Sequence, residues 1–178
     1  MDILELLKKK EFLGREFLTW LWYKSETQQG LFSLENSQQV ELWIDDKIVL
    51  QSDGYEGVQM ITCQGENLDF SEARHALKEG KKVTQAKIRL IIDSNEWTFT
   101  LDAAWLNFRG LKTPKVMLDP KEDPAGLFHE KAYLLDTAVS SIEQLLIRFL
   151  NDRISDHWDI KEVPAIRKWV QGGELSEN

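Results

Sequence analysis

Reactive chemistry is scarce in this sequence. A single cysteine, Cys63, excludes an internal disulfide framework, and its place in an apolar run suits a small packed hydrophobe. Three histidines, His75, His129 and His157, stand far apart and fall on three separate expected elements. There is no His-x-x-x-His pair, no Cys-x-x-Cys, no glycine-rich phosphate loop and no Gly-x-Ser-x-Gly elbow. The run Asp156-His157-Trp158-Asp159 has ligand-type side chains but reads as a helix-end surface rather than a metal site. The expectation is a non-enzymatic protein with no cofactor and no metal. No apolar run approaches the roughly 18 residues that a membrane span needs. The first ten residues are too short and too acidic at their head for a secretory signal, so the expected location is cytoplasmic. With 4 Pro, 10 Gly and 42% hydrophobic residues in a length of 178, the composition is that of one ordinary globular domain.

What is present alternates between helical and strand periods. Residues 2–11 read as a short helical or frayed arm, with Lys8, Lys9 and Lys10 as a solvated charge run. A helix is expected over 13–24, where Phe17, Leu18, Trp20 and Leu21 share a stripe that Trp22 and Tyr23 widen nearly all round. Such a helix is either deeply packed or faces a second surface. After a short strand at 32–34, strands 40–44 and 47–51 flank Asp45-Asp46, which reads as a two-residue hairpin loop. A third strand over 58–63 completes an antiparallel meander. Asp69 with Glu72 forms a capping-box pattern for a helix that stops at Gly80.

Alternation then places Ala86, Ile88, Leu90 and Ile92 on one face and Gln85, Lys87 and Arg89 on the other. A turn at 93–95 leads to a partner strand with Trp97, Phe99 and Leu101 inward and Thr98 and Thr100 outward. Residues 105–108 read as a further strand, Arg109-Gly110 as a turn, and 111–116 as a basic loop. Asp123-Pro124 marks a helix start for a run to Ile154, with Phe128, Leu135, Ile142 and Phe149 recurring at sevens. Its surplus apolar width suits a homodimer seam. A last helix is expected over 164–171, before an acidic tail that frays. The fold class is therefore α+β: antiparallel sheet with packed helices and a long C-terminal helix, in one domain over 1–178.

Charge is distributed unevenly. From Arg74 to Lys115 nine Lys/Arg face four acids, a local excess of five, so the rest of a chain totalling −8 carries −13. Such asymmetry can focus a field on one surface. The expected polyanion-contact residues are Arg74, Lys78, Lys81, Lys82, Lys87, Arg89, Lys112 and Lys115, though a sheet with one ordinary solvated side carries a similar pattern.

Several stretches resemble one family. Leu13-Gly14-Arg15-Glu16-Phe17-Leu18-Thr19-Trp20-Leu21-Trp22 is similar to the Leu-Thr-x-Trp helix of the recombination-associated protein RdgC family. The unit from Asp69 through Gly80-Lys81-Lys82-Val83, the strand pair 87–101 and the long terminal helix also resemble it. The likeness is to the family's carboxy-terminal half, and describes a short form. It implies a nucleoid-associated protein that binds double-stranded DNA through its backbone, forms dimers, and restrains RecA-dependent recombination. Carried onto the matching unit, the DNA-contact positions are Arg74, Lys78, Lys81, Lys82, Lys87 and Arg89. The alternative is a non-enzymatic protein-interaction module with the same fold and no DNA grip, which the acidic remainder and the Trp20, Trp22 and Tyr23 surplus suit.

Overall fold

The computed structural model describes residues 3–52, 60–65, 70–117 and 123–172. Helix α1 (Ile3–Thr27) opens the chain, followed by β1 (Leu31–Ser33), β2 (Gln39–Gln51) and β3 (Met60–Gln64). Then come α2 (Ser71–Lys78), β4 (Lys82–Ile92), β5 (Asn95–Asp102), β6 (Phe108–Lys112) and α3 (Pro124–Ile154). A π-helical turn (Trp158–Glu162) passes directly into α4 (Val163–Val170). The expected α+β class is what is observed: six strands form one antiparallel sheet in the order β1-β2-β4-β5-β6, with β3 paired to the far half of β2. Among the described residues no helix is long and apolar enough to cross a membrane.

The core lies between the sheet and the helices. Ala86, Ile88, Leu90 and Ile92 of β4 and Trp97, Phe99 and Leu101 of β5 are buried on one sheet face, as the two-residue period requires, and a register shift brings Val83, opposite Leu50, to the same face. That face receives α1, and α1 is in turn covered by α3 and α4. Phe17, Leu18, Trp20, Leu21 and Trp22 are therefore inaccessible to solvent, so the all-round apolar stripe is deeply packed. Phe149 of α3 stands 5.5 Å from Phe17 and 5.7 Å from Trp20, and Trp169 of α4 stands 4.9 Å edge-on to Trp22. The helix also extends further toward the amino terminus than expected, running unbroken from Ile3 rather than leaving 2–11 as an arm.

Several expectations are corrected. Asp45-Asp46 do not turn the chain: β2 runs through them as one 13-residue strand, and they form a bulge, with Ile44 opposite Ile88 and Ile48 opposite Ala86. The expected meander is replaced by a long central β2 flanked by β4 on one side and by β1 and β3 on the other. Trp105 lies in a turn and is 66% exposed, whereas Arg109 and Gly110 belong to β6. Asp69 lies outside the described residues, and α2 starts at Ser71 with no side-chain cap from Phe70. At its other end α2 stops as expected. Gly80 has φ +89, its N–H donates to Leu77 O, and that of Lys81 donates to Ala76 O, the paired bonds of a Schellman ending.

The long helix starts at its expected cap, where Asp123 Oδ1 accepts from Gly126 N at 2.8 Å. Its heptad stripe is only half used. Ile142 and Phe149 are buried, but Phe128 and Leu135 are 68% and 45% exposed: Phe128 lies in the exposed first turns of α3, and Leu135 faces away from the body on which its neighbour Leu134 is buried.

Gly14 sets how closely α1 approaches the end of β5. A Cβ built there would sit 1.9 Å from the Ala103 carbonyl oxygen, a contact with main chain that no rotamer relieves. Gly14→Ala should therefore destabilise the fold by about 2 kcal/mol or more, although helix propensity alone predicts a gain of about 1 kcal/mol. Urea unfolding of the two proteins checks the sign.

Candidate functional site

The two-layer build separates residues that are close in sequence. β4 follows α2 after only three residues, yet its outward positions project from the sheet face opposite the helices. Lys87 and Arg89 stand on that open face, as does Lys112, whose Cα partner Thr98 also faces Arg89. Arg74, Lys78 and Lys81 belong to α2 and its C-terminal turn, on the helix side. Lys82 reaches the same side, with Nζ 5.4 Å from the centroid of the Phe12 ring. Lys115 is exposed beyond β6. The eight expected contact residues are thus divided between two surfaces.

The open face is largely neutralised. Lys87 Nζ lies 2.7 Å from Asp46 Oδ2 and 3.1 Å from Asp45 Oδ2. The bulge in β2 brings both carboxylates over this strand position. The hydrogen bond to Asp46 foremost, with Asp45 adding to it, raises the Lys87 pKa above the ordinary lysine range. Arg109 Nη2 forms an ion pair with Asp102 Oδ2 at 3.0 Å, and Asp102 accepts from Gln85 Nε2 and the Ala104 N–H. Lys47, Arg89 and Lys112 are cations of this face that form no ion pair among the described residues.

The helix side gathers charge instead. A groove of about 520 Å³ runs between α1, the end of α2, the π-helical turn and α4. Arg15, Lys81, Lys82 and Arg167 line it, and Glu16, the one acidic lining residue among the described residues, is engaged by Arg153 Nε at 2.8 Å. Across α2, a shallower depression of about 250 Å³ is lined by Arg74, His75 and Lys78 and shares Val170 with the groove. Lys81 and Arg74 each have an acidic neighbour. Lys81 Nζ lies 2.9 Å from Glu79 Oε2, which holds the Glu79 carboxyl below the usual range, and Arg74 lies 3.6 Å from Glu26. Lys78 and Arg167 are exposed and make no ion pair among the described residues.

Arg15 and Arg167 were not among the residues expected from the sequence. Nothing in spacing links positions 15, 82 and 167, which meet only because α4 folds back across α1 and α2. The Asp156-His157-Trp158-Asp159 run splits as a helix end should: Trp158 is buried against Phe149, with ring centroids 5.6 Å apart, while its three polar members are exposed. Cys63 is buried, and its thiol pKa is raised by that burial and by Glu72.

No protein-family model, no curated protein and no solved structure matches the chain.

The Lys87 cluster makes a testable electrostatic contribution. A lysine whose pKa is raised on folding stabilises fully below its unfolded value of about 10.4, and that contribution is lost as pH rises through the folded value. Lys87→Met, which keeps the aliphatic stem, should cost about 1–2 kcal/mol at neutral pH, because two carboxylates then face each other unpaired. The deficit relative to the parent should shrink above pH 10.4, as measured by denaturant midpoints across pH.

Proposed function

We propose that this protein is a non-enzymatic DNA-binding protein that holds the phosphate backbone on its helix side. The observation that carries the reading is the pair of adjoining depressions around Val170, which gather Arg74, Lys78, Lys81 and Lys82 with Arg15 and Arg167 on one surface. Four of the eight residues expected to contact DNA belong to this set. The two added arginines come from elements distant in sequence. A row of cations on an otherwise acidic body suits backbone contact, which positions a duplex without reading its bases. Arg89, Lys112 and Lys115 lie apart from this surface and serve here as controls. The resemblance to the RdgC family supports the same reading, including a nucleoid setting and a role in RecA-dependent recombination.

A second reading, a protein-interaction module, is favoured by a different observation. Phe128, Tyr133 and Leu135 are exposed on the first half of α3, and exposed aromatic and aliphatic side chains on one element mark a contact surface, a homodimer seam included.

Salt titrations separate the two. Each neutralised phosphate contributes about −0.9 to the slope of log K against log salt on duplex DNA. Lys78→Gln with Arg167→Gln should therefore flatten the slope by about two, while Arg89→Gln with Lys112→Gln leaves it unchanged. Both variants should keep the parent's thermal transition, since all four side chains are exposed. Equal effects of the two pairs, or no binding by the parent even at low salt, would overturn the DNA reading.

A further inference from the structure

The groove between α1, α2 and α4 has a floor that phosphate contact does not use. Leu77, Trp158, Val163, Ile166 and Val170 form it, and the Phe12 ring closes one lip. A nucleic-acid backbone presents charged phosphates and only the small apolar faces of its sugars, so it gains little from such a surface. Arg15, Lys81, Lys82 and Arg167 stand around the same opening, with Lys81 paired to Glu79, and the one carboxylate lining it among the described residues, Glu16, is already engaged by Arg153. The volume of about 520 Å³ falls within the range of small-molecule sites, which are mostly apolar with a few oriented polar groups.

We infer that this groove binds a single-chain anionic amphiphile, a long-chain fatty carboxylate, with its hydrocarbon along the Leu77–Trp158–Ile166–Val170 floor and its carboxylate at the cationic rim. The charge pattern selects the sign of the head group. Arg167 is exposed, makes no ion pair among the described residues, and offers a planar fork suited to a carboxylate. The floor selects the chain, since each methylene removed from water tightens binding by about fourfold. A cationic amphiphile of equal length would place its charge among like charges. A neutral floor with no cations would accept both heads alike. The site's selectivity is therefore a consequence of joining the two features in one groove. The inference stands apart from the DNA reading, because it depends on the floor as well as the rim.

The test is calorimetric titration of the full chain with dodecanoate and, in parallel, with dodecyltrimethylammonium, both below their micelle concentrations. The expected result is one saturable site for dodecanoate and binding at least about tenfold weaker for the cation, a difference set by head-group charge alone. Ile166→Trp, which fills the groove with apolar volume, should abolish the dodecanoate site. Val170→Phe should do the same if the first variant does not fold, as judged by circular dichroism. Arg167→Gln should weaken dodecanoate by about three- to tenfold. Equal binding of the two amphiphiles, the absence of a saturable site in the parent, or unchanged affinity in a folded groove-filled variant would each overturn the inference. Ile166→Trp leaves every rim cation in place, so its duplex DNA affinity should match the parent's. Failure of the DNA reading is then visible separately from failure of this one.

Discussion

The structure depends on burying one helix from all sides. Successive residues of an α-helix are about 100° apart, so Trp20 and Trp22 point in nearly opposite directions from α1. Trp20 faces Phe32 and Phe149, and Trp22 faces Phe70 and Trp169. A single segment thereby ties the sheet and α3 to α2 and α4. Truncating a buried aromatic of this size typically costs about 3–5 kcal/mol, a large part of the stability of an ordinary domain. The packing is also oriented by polar contacts. Both indoles of the Trp22–Trp169 pair donate at 2.7 Å to the two oxygens of Glu26, which fixes the last helix against the end of the first. The Trp97 indole donates to the Leu134 carbonyl at 2.9 Å and pins α3 to β5 in the same way.

Covering one face of the sheet and leaving the other open decides what the basic run can do. Along β4 the side chains alternate between core and solvent, while α2 and its C-terminal turn lie in the helix layer. Cations only a few residues apart in sequence therefore end up on opposite sides of the sheet. On the open side, Asp45, Asp46 and Asp102 sit over Lys87 and Arg109 and offset part of the charge of that face. On the helix side, α4 brings Arg167 beside Lys81 and Lys82, and the middle of α1 adds Arg15. Charge gathers there because helices meeting at an angle leave a groove, and long cationic side chains occupy its edges while their stems cover apolar floor.

Much of the secondary structure was legible from local rules. The Asp123-Pro124 start of α3, the Gly80 end of α2 and the alternation in β4 and β5 each follow from bonding or period within a few residues. The failures share a cause. Asp45-Asp46 resembles a hairpin turn because both residues tolerate turns, but they bulge within β2 toward a lysine forty-one residues away. Arg109-Gly110 looks like a turn for the same local reason, yet it pairs with Thr100 of β5. Phe128 and Leu135 carry the same heptad signal as Ile142 and Phe149, and only the placement of α3 on the body distinguishes exposed from buried.

By itself the sequence determined the α+β class, the all-round apolar character of α1, the extent of the long helix and the existence of a basic excess between Arg74 and Lys115. The tertiary structure alone decided which of those cations share a surface, which are matched by carboxylates, and that Arg15 and Arg167 join Lys81 and Lys82 over an apolar floor. The reason is that hydrogen-bonding period and capping act over a handful of residues and are written in order along the chain. The field at a surface depends instead on distances through space, which are set when α1 is enclosed and the helices around it are brought to their final places.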